Sequence, residues 1–555
     1  MRAQFPARIR PRPGQSALTA VTTLTMVAAL AAVATGRPAA EPGAPRLVSG
    51  PVDITDTPGT ITDQYGTTGA EGVEKVIDNS PYRKYFTWHS TGWIQFVADT
   101  PATVTGYAVT SANDAPDRNP RSWVFEASTG TGSWTALDTR SNQTFLTGFE
   151  TRTFSFANTQ SYRHYRLRIT GNDGSPDLQL AEWRIFGTTT ATTPAPSAPT
   201  GFQATGVSGD QMLLTWTDTT RYETTYRLER STGGGAWTPL AVLPTATTRY
   251  RDLKLPGSST YQYRLRAENA AGVTGWVTAG GTTLSATVPN TWTEVWHGDP
   301  GDNEVLTKVV TDADLTVWRT TGLAGTDLTW AKDYTKQLWQ YLQATYGGLA
   351  GQKLHAVFHE EPGLGGTARV LFDAETSHRN MVDFTGDGWT SATEARRDII
   401  AHEIGHVVES SAHDVHGSPA FGIWGDSKWC EIFQYDVYLA LGLTAHATRW
   451  YDEKMTTVDD FPRAGTQWFR DWFHPIYQDH GGVATLDRFF LLLSTHFHRF
   501  DGGYARELNW GEFVHFWSGA AGTDLKPLAT AAFGWPAEWQ AQYLRAQQDY
   551  PGVTY

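Results

Sequence analysis

The chain has 555 residues, 40% hydrophobic and 13% aromatic, with 23 tryptophans. That length exceeds one hydrophobic core and predicts about three domains. The net charge is −13, with no Lys/Arg block beyond the N-terminus, so nothing favours a nucleic-acid partner.

Arg2, Arg8, Arg10 and Arg12 open the chain, Ala17 to Ala34 is apolar, and Ala32-Val33-Ala34 offers a small-x-small cleavage site. Residues 1–40 are therefore expected to be a signal peptide and the mature protein to be secreted and extracellular. The apolar stretch is long for such a signal, which leaves an uncleaved anchor as the alternative. Its threonines and the Pro/Gly/Ala-rich residues after it favour cleavage. No later run is long and apolar enough to span a bilayer. Cys430 is the single cysteine. Without an intrachain disulfide, an exported chain must rest on packing and metals.

Residues 41–50 read as a Pro/Gly-rich spacer. From 51 to 187, alternating runs such as Trp93-Ile94-Gln95-Phe96-Val97 and Tyr165-Arg166-Leu167-Arg168-Ile169 are broken by Gly, Asn, Asp and Ser turns. That pattern predicts an all-β sandwich. The segments VEKVIDNS…YFTWHSTGWIQF, VTSANDAPDRNPRSWVFEAS and YRLRITGNDGSPDLQLAEWRIFG resemble a discoidin, or coagulation-factor C-type, domain. The nearest resemblance is to family 32 carbohydrate-binding modules. It implies a jelly-roll sandwich whose end loops bind glycans or cell-surface polysaccharide. Aromatic and polar side chains suit a sugar, and the candidates for such contacts are His89, Asn113, Arg118, Asn119 and Phe145. It also implies a structural Ca²⁺ held by Asp78, Thr87 and Glu182, hard oxygen donors that suit that ion.

Residues 188–196 form a Thr/Pro-rich linker, a composition that stays extended. Residues 197–285 read as a second β-sandwich, with Trp216 in MLLTWTD and Tyr261 and Tyr263 in TYQYRLRAENAAG. They resemble a fibronectin type III domain. No chemistry-bearing residues cluster there, and a spacer role is expected.

From 290 to 555 helical periodicity dominates, preceded by the strand-like runs KLHAVFHE and RNMVDFTG. An α+β, mainly helical domain is expected. Within EARRDIIAHEIGHVVESS, His402-Glu403-Ile404-Gly405-His406 reads H-E-x-x-H. Histidines four apart share one helix face, so one Zn²⁺ can take both, and Glu403 stands beside it as general base. Ser391 and Glu394 give the S-x-x-E pattern of a helix start. A buried Glu between two His would be costly without a metal, which disfavours two inert core histidines.

A catalytic zinc usually has three protein ligands and one open position. The third and sixth residues after His406 are Glu409 and Ala412, so the Gly and His of the metzincin pattern are missing. His413, Asp414, His416 and Asp426 are loose options. Glu431 is preferred, at the start of EIFQYDVYLALGL with 24 residues between it and His406. That arrangement resembles the gluzincins, and among them the enhancin-like, mucin-targeting peptidases. In thermolysin-like members an Asp four residues beyond the ligand Glu orients the first His. Here that position is Tyr435, with Asp436 one further on, a departure from the pattern at the orienting group. Tyr435, Tyr438, His416 and His515 are candidate oxyanion donors, and the sequence does not choose among them. Cys430 reads as a buried thiol pointing away from its neighbour Glu431. His496 and His498 read as structural groups on an amphipathic helix.

The expected architecture is multidomain: a discoidin-like jelly roll, a fibronectin type III sandwich and a zincin-like metallopeptidase domain. The expected function is a secreted zinc-dependent endopeptidase acting on proteins or glycoproteins at glycan-rich surfaces. The alternative is a non-catalytic, carbohydrate-binding adhesion protein with an inert peptidase-like domain.

Overall fold

The computed structural model describes residues 50–219, 221–294, 304–349, 351, 353–361 and 363–555. The expected signal peptide and all but the last residue of the 41–50 spacer lie outside the described residues. No described helix is long and apolar enough to cross a membrane.

Tyr85–Thr87 and Leu178–Leu180 pair as a separate two-stranded sheet, and the other eight strands between Val52 and Thr188 form one sheet folded around one core. The long strand Gly92–Thr110 joins its two halves. Its first part pairs with Gly59–Asp63 and Tyr162–Asn172, and its second with Glu182–Thr188 and Thr151–Ser155. The register shifts between Val97 and Ala102, around Pro101, whose ring nitrogen has no hydrogen to donate to a ladder. Alternation sends Ile94, Phe96, Val104 and Tyr107 inward against Trp123, Phe125, Leu167 and Trp183.

A three-stranded sheet (Thr200–Gly206, Met212–Thr217, Arg249–Asp252) and a five-stranded one built on Thr225–Thr232 and Thr260–Asn269 form the second sandwich. Trp216 and Tyr263 are buried between them, and the Tyr263 hydroxyl donates to Asp252 at 2.8 Å. This unit is more than the spacer expected of it. Arg221 donates to the carbonyls of Thr55, Thr57 and Gly59 in the first sandwich at 2.9–3.3 Å. On its other side Gln211 and Arg251 donate to the Leu371 and Phe372 carbonyls at 3.2 and 3.0 Å. Backbone acceptors fix orientation more tightly than mobile side-chain pairs, so both neighbours are held in place.

The C-terminal region starts with a six-stranded mixed sheet. Leu315–Arg319, Leu354–Glu360 and Asn380–Gly386 run parallel, and Gly365–Arg369 is the antiparallel edge strand beside Asn380–Gly386. Helix Thr329–Thr345 connects the first two parallel strands, as such pairs require. The motif helix, Glu394–Ser411, packs on the edge strand. It buries Ile400, Ile404, Val407 and Val408 against helix Lys428–Ala440. At their crossing a Cβ on Gly405 would stand 2.9 Å from Phe433 and 3.1 Å from Cys430, so only glycine lets the two helices approach this closely. Two local expectations change. The N-cap is Thr393, which accepts from the Arg396 amide at 3.3 Å, whereas Ser391 accepts from the Arg396 guanidinium. Thr393 has the extended backbone that a cap requires immediately before the first helical residue. Helix Val483–His496 ends before His498, so the two histidines do not share it.

Candidate metal centre

The i, i+4 spacing brings His402 Nε2 and His406 Nε2 to 3.2 Å. Adjacent ligands about 2.0–2.1 Å from a tetrahedral zinc stand roughly 3.3 Å apart, so the pair fits that ion. The His406 ring is oriented from behind: its Nδ1 lies 2.9 Å from Glu409 Oε2. Glu409 is itself held by Ser418 Oγ at 2.6 Å and Trp424 Nε1 at 2.5 Å. A proton shared at Nδ1 leaves Nε2 as the free lone pair, facing His402. Sequence reasoning sought the orienting carboxylate near position 435. The carboxylate found there, Glu409, orients the second imidazole and not the first; it sits on the motif helix, one turn beyond His406, and the i, i+3 spacing could have found it. Asp436 is committed elsewhere, accepting from the Tyr341 and Tyr477 hydroxyls at 2.7 Å each.

Burial pulls the His402 imidazole down to about 4, helped by the neighbouring His406. His402 is thus neutral and ready to ligate at ordinary pH. Burial also pulls on His406, but Glu409, Glu403 and Asp426 together outweigh it and raise it. Glu403 is pushed up to about 7 by burial. It packs against the edge strand, where a Cβ on Gly366 would stand 2.4 Å from its Cγ.

The candidate third ligands fall in different places. Glu431 is buried in the first turn of its helix. Its carboxylate is 3.9 Å from Lys454 Nζ, and burial pushes it up to about 7. Cys430 is the buried thiol expected, and its Sγ lies 3.8 Å from His406 Nε2 and 4.0 Å from Nδ1. Asp426 sets Oδ2 at 3.8 Å from His402 Nε2 and Oδ1 at 3.4 Å from His406 Nε2. His413 pairs with Asp487 at 2.9 Å, Asp414 with Lys254 at 2.6 Å, and His416 stacks on Phe372. Among the oxyanion candidates, Tyr438 donates to Asp398, His515 contacts the Tyr555 hydroxyl at 3.1 Å, and Tyr435 packs among Tyr451, Phe469 and Tyr477.

In the first sandwich the five glycan candidates do not converge. His89 is exposed and stacks on Tyr65 at 3.8 Å between ring centroids. Beside it Trp88 is 78% exposed, a flat apolar face that sequence reasoning passed over. The three rings border a cavity of about 580 Å³ with Glu71. Arg118 lies over Phe86 and 3.6 Å from Asp177. Asn119 is buried, accepting from the Ala112 amide at 3.4 Å, and Phe145 belongs to the core. Asn113, Asn119 and Phe145 border a second cavity, of about 480 Å³, closed on its far side by Arg506, Asn509 and Gln542 of the C-terminal region. Of the calcium candidates, Asp78 and Glu182 meet around the Ser80 amide at 3.1 and 3.0 Å. Burial, and each other's charge at Glu182, raise both carboxyls. Arg83 approaches Asp78 at 3.7 Å. Thr87 lies on strand Tyr85–Thr87, opposite Leu178.

No protein-family profile matches the chain. Exoglucanase B of Cellulomonas fimi is 38% identical over 97 residues, 17% of this chain, and the chain spans about 8% of that relative's length. Solved structures match single regions. An F5/8 type C domain from Bacteroides fragilis is 18% identical, covering 25% of this chain and 96% of that one at a TM-score of 0.22. A family 32 carbohydrate-binding module from C. perfringens NanJ, in complex with galactose, is 12% identical, covering 25% and 98% at 0.21. A fibronectin-type domain, FN3tt, is 25% identical, covering 16% and 97% at 0.15.

Proposed function

We propose that the chain is a secreted zinc-dependent endopeptidase, directed to glycoproteins or glycan-rich surfaces by its first sandwich. The observation that carries this reading is the 3.2 Å convergence of His402 and His406 Nε2, with Glu409 fixing the second ring and Glu403 between them in sequence. Zn²⁺ bound by these residues would supply Lewis acidity and a water of lowered pKa. Glu403, its carboxyl pushed up to about 7, is matched to taking a proton at neutral pH and returning it to the leaving amine. The edge strand Gly365–Arg369 runs alongside Glu403. A peptide laid along that edge as an added strand would bring its scissile amide to the carboxylate. The side chain missing at Gly366 is what lets strand and carboxylate sit this close.

The glycan half rests on Trp88, His89 and Tyr65, whose exposed rings suit the apolar face of a sugar. A surface-bound enzyme gains local substrate concentration. The test combines metal content with cleavage of casein and a mucin-type glycoprotein. One zinc per chain, cleavage abolished by chelator and by Glu403→Gln, and faster cleavage of the glycosylated substrate are expected. Stoichiometric zinc without cleavage of either substrate would leave a binding protein with an inert domain.

A further inference from the structure

We propose that Asp426, not Glu431, is the third protein ligand of the zinc centre. This rests on the zinc reading above and specifies its donor set as two imidazoles and one exposed carboxylate. The three donors form a triangle. His402 Nε2 and His406 Nε2 are 3.2 Å apart, and the Asp426 oxygens lie 3.4 Å from His406 and 3.8 Å from His402. Donors about 2.0–2.1 Å from a tetrahedral zinc would be separated by roughly 3.3 Å; the imidazole pair stands at that spacing, and the Asp426 carboxylate spans the two nitrogens with Oδ1 toward His406 and Oδ2 toward His402. Each carboxylate oxygen faces a different imidazole nitrogen. In both rings that nitrogen is Nε2, and in His406 it is the one Glu409 leaves free.

The backbone delivers Asp426 to this place. The short helix Phe421–Trp424 ends at Gly425, at φ 60° and ψ −163°. Only glycine occupies that region without strain. The turn throws Asp426 out of the helical path, just before helix Lys428–Ala440 begins. Its side chain is 80% exposed. A carboxylate at the solvent edge stands where water also reaches, which would suit a zinc that keeps one position for water.

The two competitors are placed less well. The Glu431 carboxylate is buried and already has a cation beside it, the half-buried Lys454 Nζ at 3.9 Å. The Cys430 sulfur is nearly equidistant from the two His406 ring nitrogens, at 3.8 and 4.0 Å. It groups with His402 and His406 within reach of a shared ion, but its nearest polar contact is the His402 carbonyl at 3.5 Å, and it stands farther from His406 Nε2 than Asp426 Oδ1 does at 3.4 Å.

The test measures zinc affinity of the full chain by chelator competition, with the optical spectrum of the cobalt-substituted protein as a second readout. Asp426→Ala is expected to lower zinc affinity more than about 100-fold, beyond the 10–100-fold typical of groups behind the ligands. Glu431→Gln is expected to stay within a few-fold of wild type. Gly425→Ala, which leaves all donors present but misplaces one, is expected to fall between them. Thermal melts of the metal-free proteins show whether each variant folds, and the exposed Asp426 leaves no core void when truncated. Wild-type affinity in Asp426→Ala overturns the proposal, as does equal loss in a folded Glu431→Gln. A thiolate-to-cobalt absorption band that disappears in Cys430→Ser overturns it too. These results leave the zinc reading standing. A wild-type chain that binds no zinc fails at the earlier step, and that outcome is separable from the others.

Discussion

The motif helix and the exposed ring surface of the first sandwich are built on opposite principles. At the helix, the groups that would hold an ion are fixed by covalent spacing, backed by a buried carboxylate and clamped by a helix crossing at Gly405. On the sandwich, Tyr65, Trp88 and His89 stand at the surface, with Trp88 78% exposed. An ion tolerates errors of a few tenths of an ångström, so its site needs a rigid frame with few degrees of freedom. A sugar face presented by a polymer is met by a flat ring, for which exposure counts more than exact angle. The two regions are also joined. Thr147 of the sandwich contacts Glu512 at 3.3 Å, and Glu512 forms a buried pair with Arg506, which lies over Phe149.

The largest expected effect tests the rigid side of this contrast. Glu403→Gln should cut peptidase turnover by about 10²–10⁴-fold, the span assigned to a general base, while zinc content stays at the wild-type level. Parallel loss of zinc would mean that Glu403 serves the frame and not the proton transfer.

The next tests the joint between the regions. Glu512→Gln leaves Arg506 as a buried cation with a weakened partner and should cost about 3–5 kcal/mol in thermal or denaturant unfolding. Burial pushes the Glu512 carboxyl up, but Arg506 outweighs it and holds it below its ordinary 4.5. Its stabilisation is therefore full above that value and is lost as pH falls through the lower, folded-state value. Wild type should lose stability on acidification in that window, and Glu512→Gln should lose less. Equal acid sensitivity in the two proteins would count against the pair.

A smaller effect is expected behind the metal. Glu409→Gln should weaken zinc binding by about 10–100-fold, since the amide orients His406 without the charge. It should leave the metal-free melting temperature within a few degrees. The smallest effect on the fold belongs to the open surface. Trp88→Ala should change unfolding free energy by no more than about 0.5 kcal/mol and yet abolish retention on an immobilised mucin-type glycoprotein. Unchanged retention would move the glycan site elsewhere, the Asn113-lined cavity being the next place to test.

How much could be read in advance follows the same division. His402, Glu403 and His406 were legible because helix geometry converts spacing into proximity without help from the rest of the chain. Glu409 obeys the same rule and was passed over because it was weighed only as a failed metzincin position. The strand runs at 354–360 and 380–386 and the alternation of the first sandwich were legible from local pattern. The end loops were not. Phe145 and Asn119 turn inward because loop backbones, with left-handed residues such as Ala115, follow no sequence period.

By itself the sequence determined the order of the two β-rich regions and the helical region, and the closeness of His402 and His406 on one helix face with Glu403 between them in sequence. Each depends on contacts within a few residues, where covalent geometry leaves little choice. Tertiary structure alone decided which carboxylate reaches the imidazoles, which sandwich rings meet solvent and how the second sandwich locks its neighbours. Those outcomes rest on chain segments far apart in sequence, brought together by burial of apolar surface that no local pattern encodes.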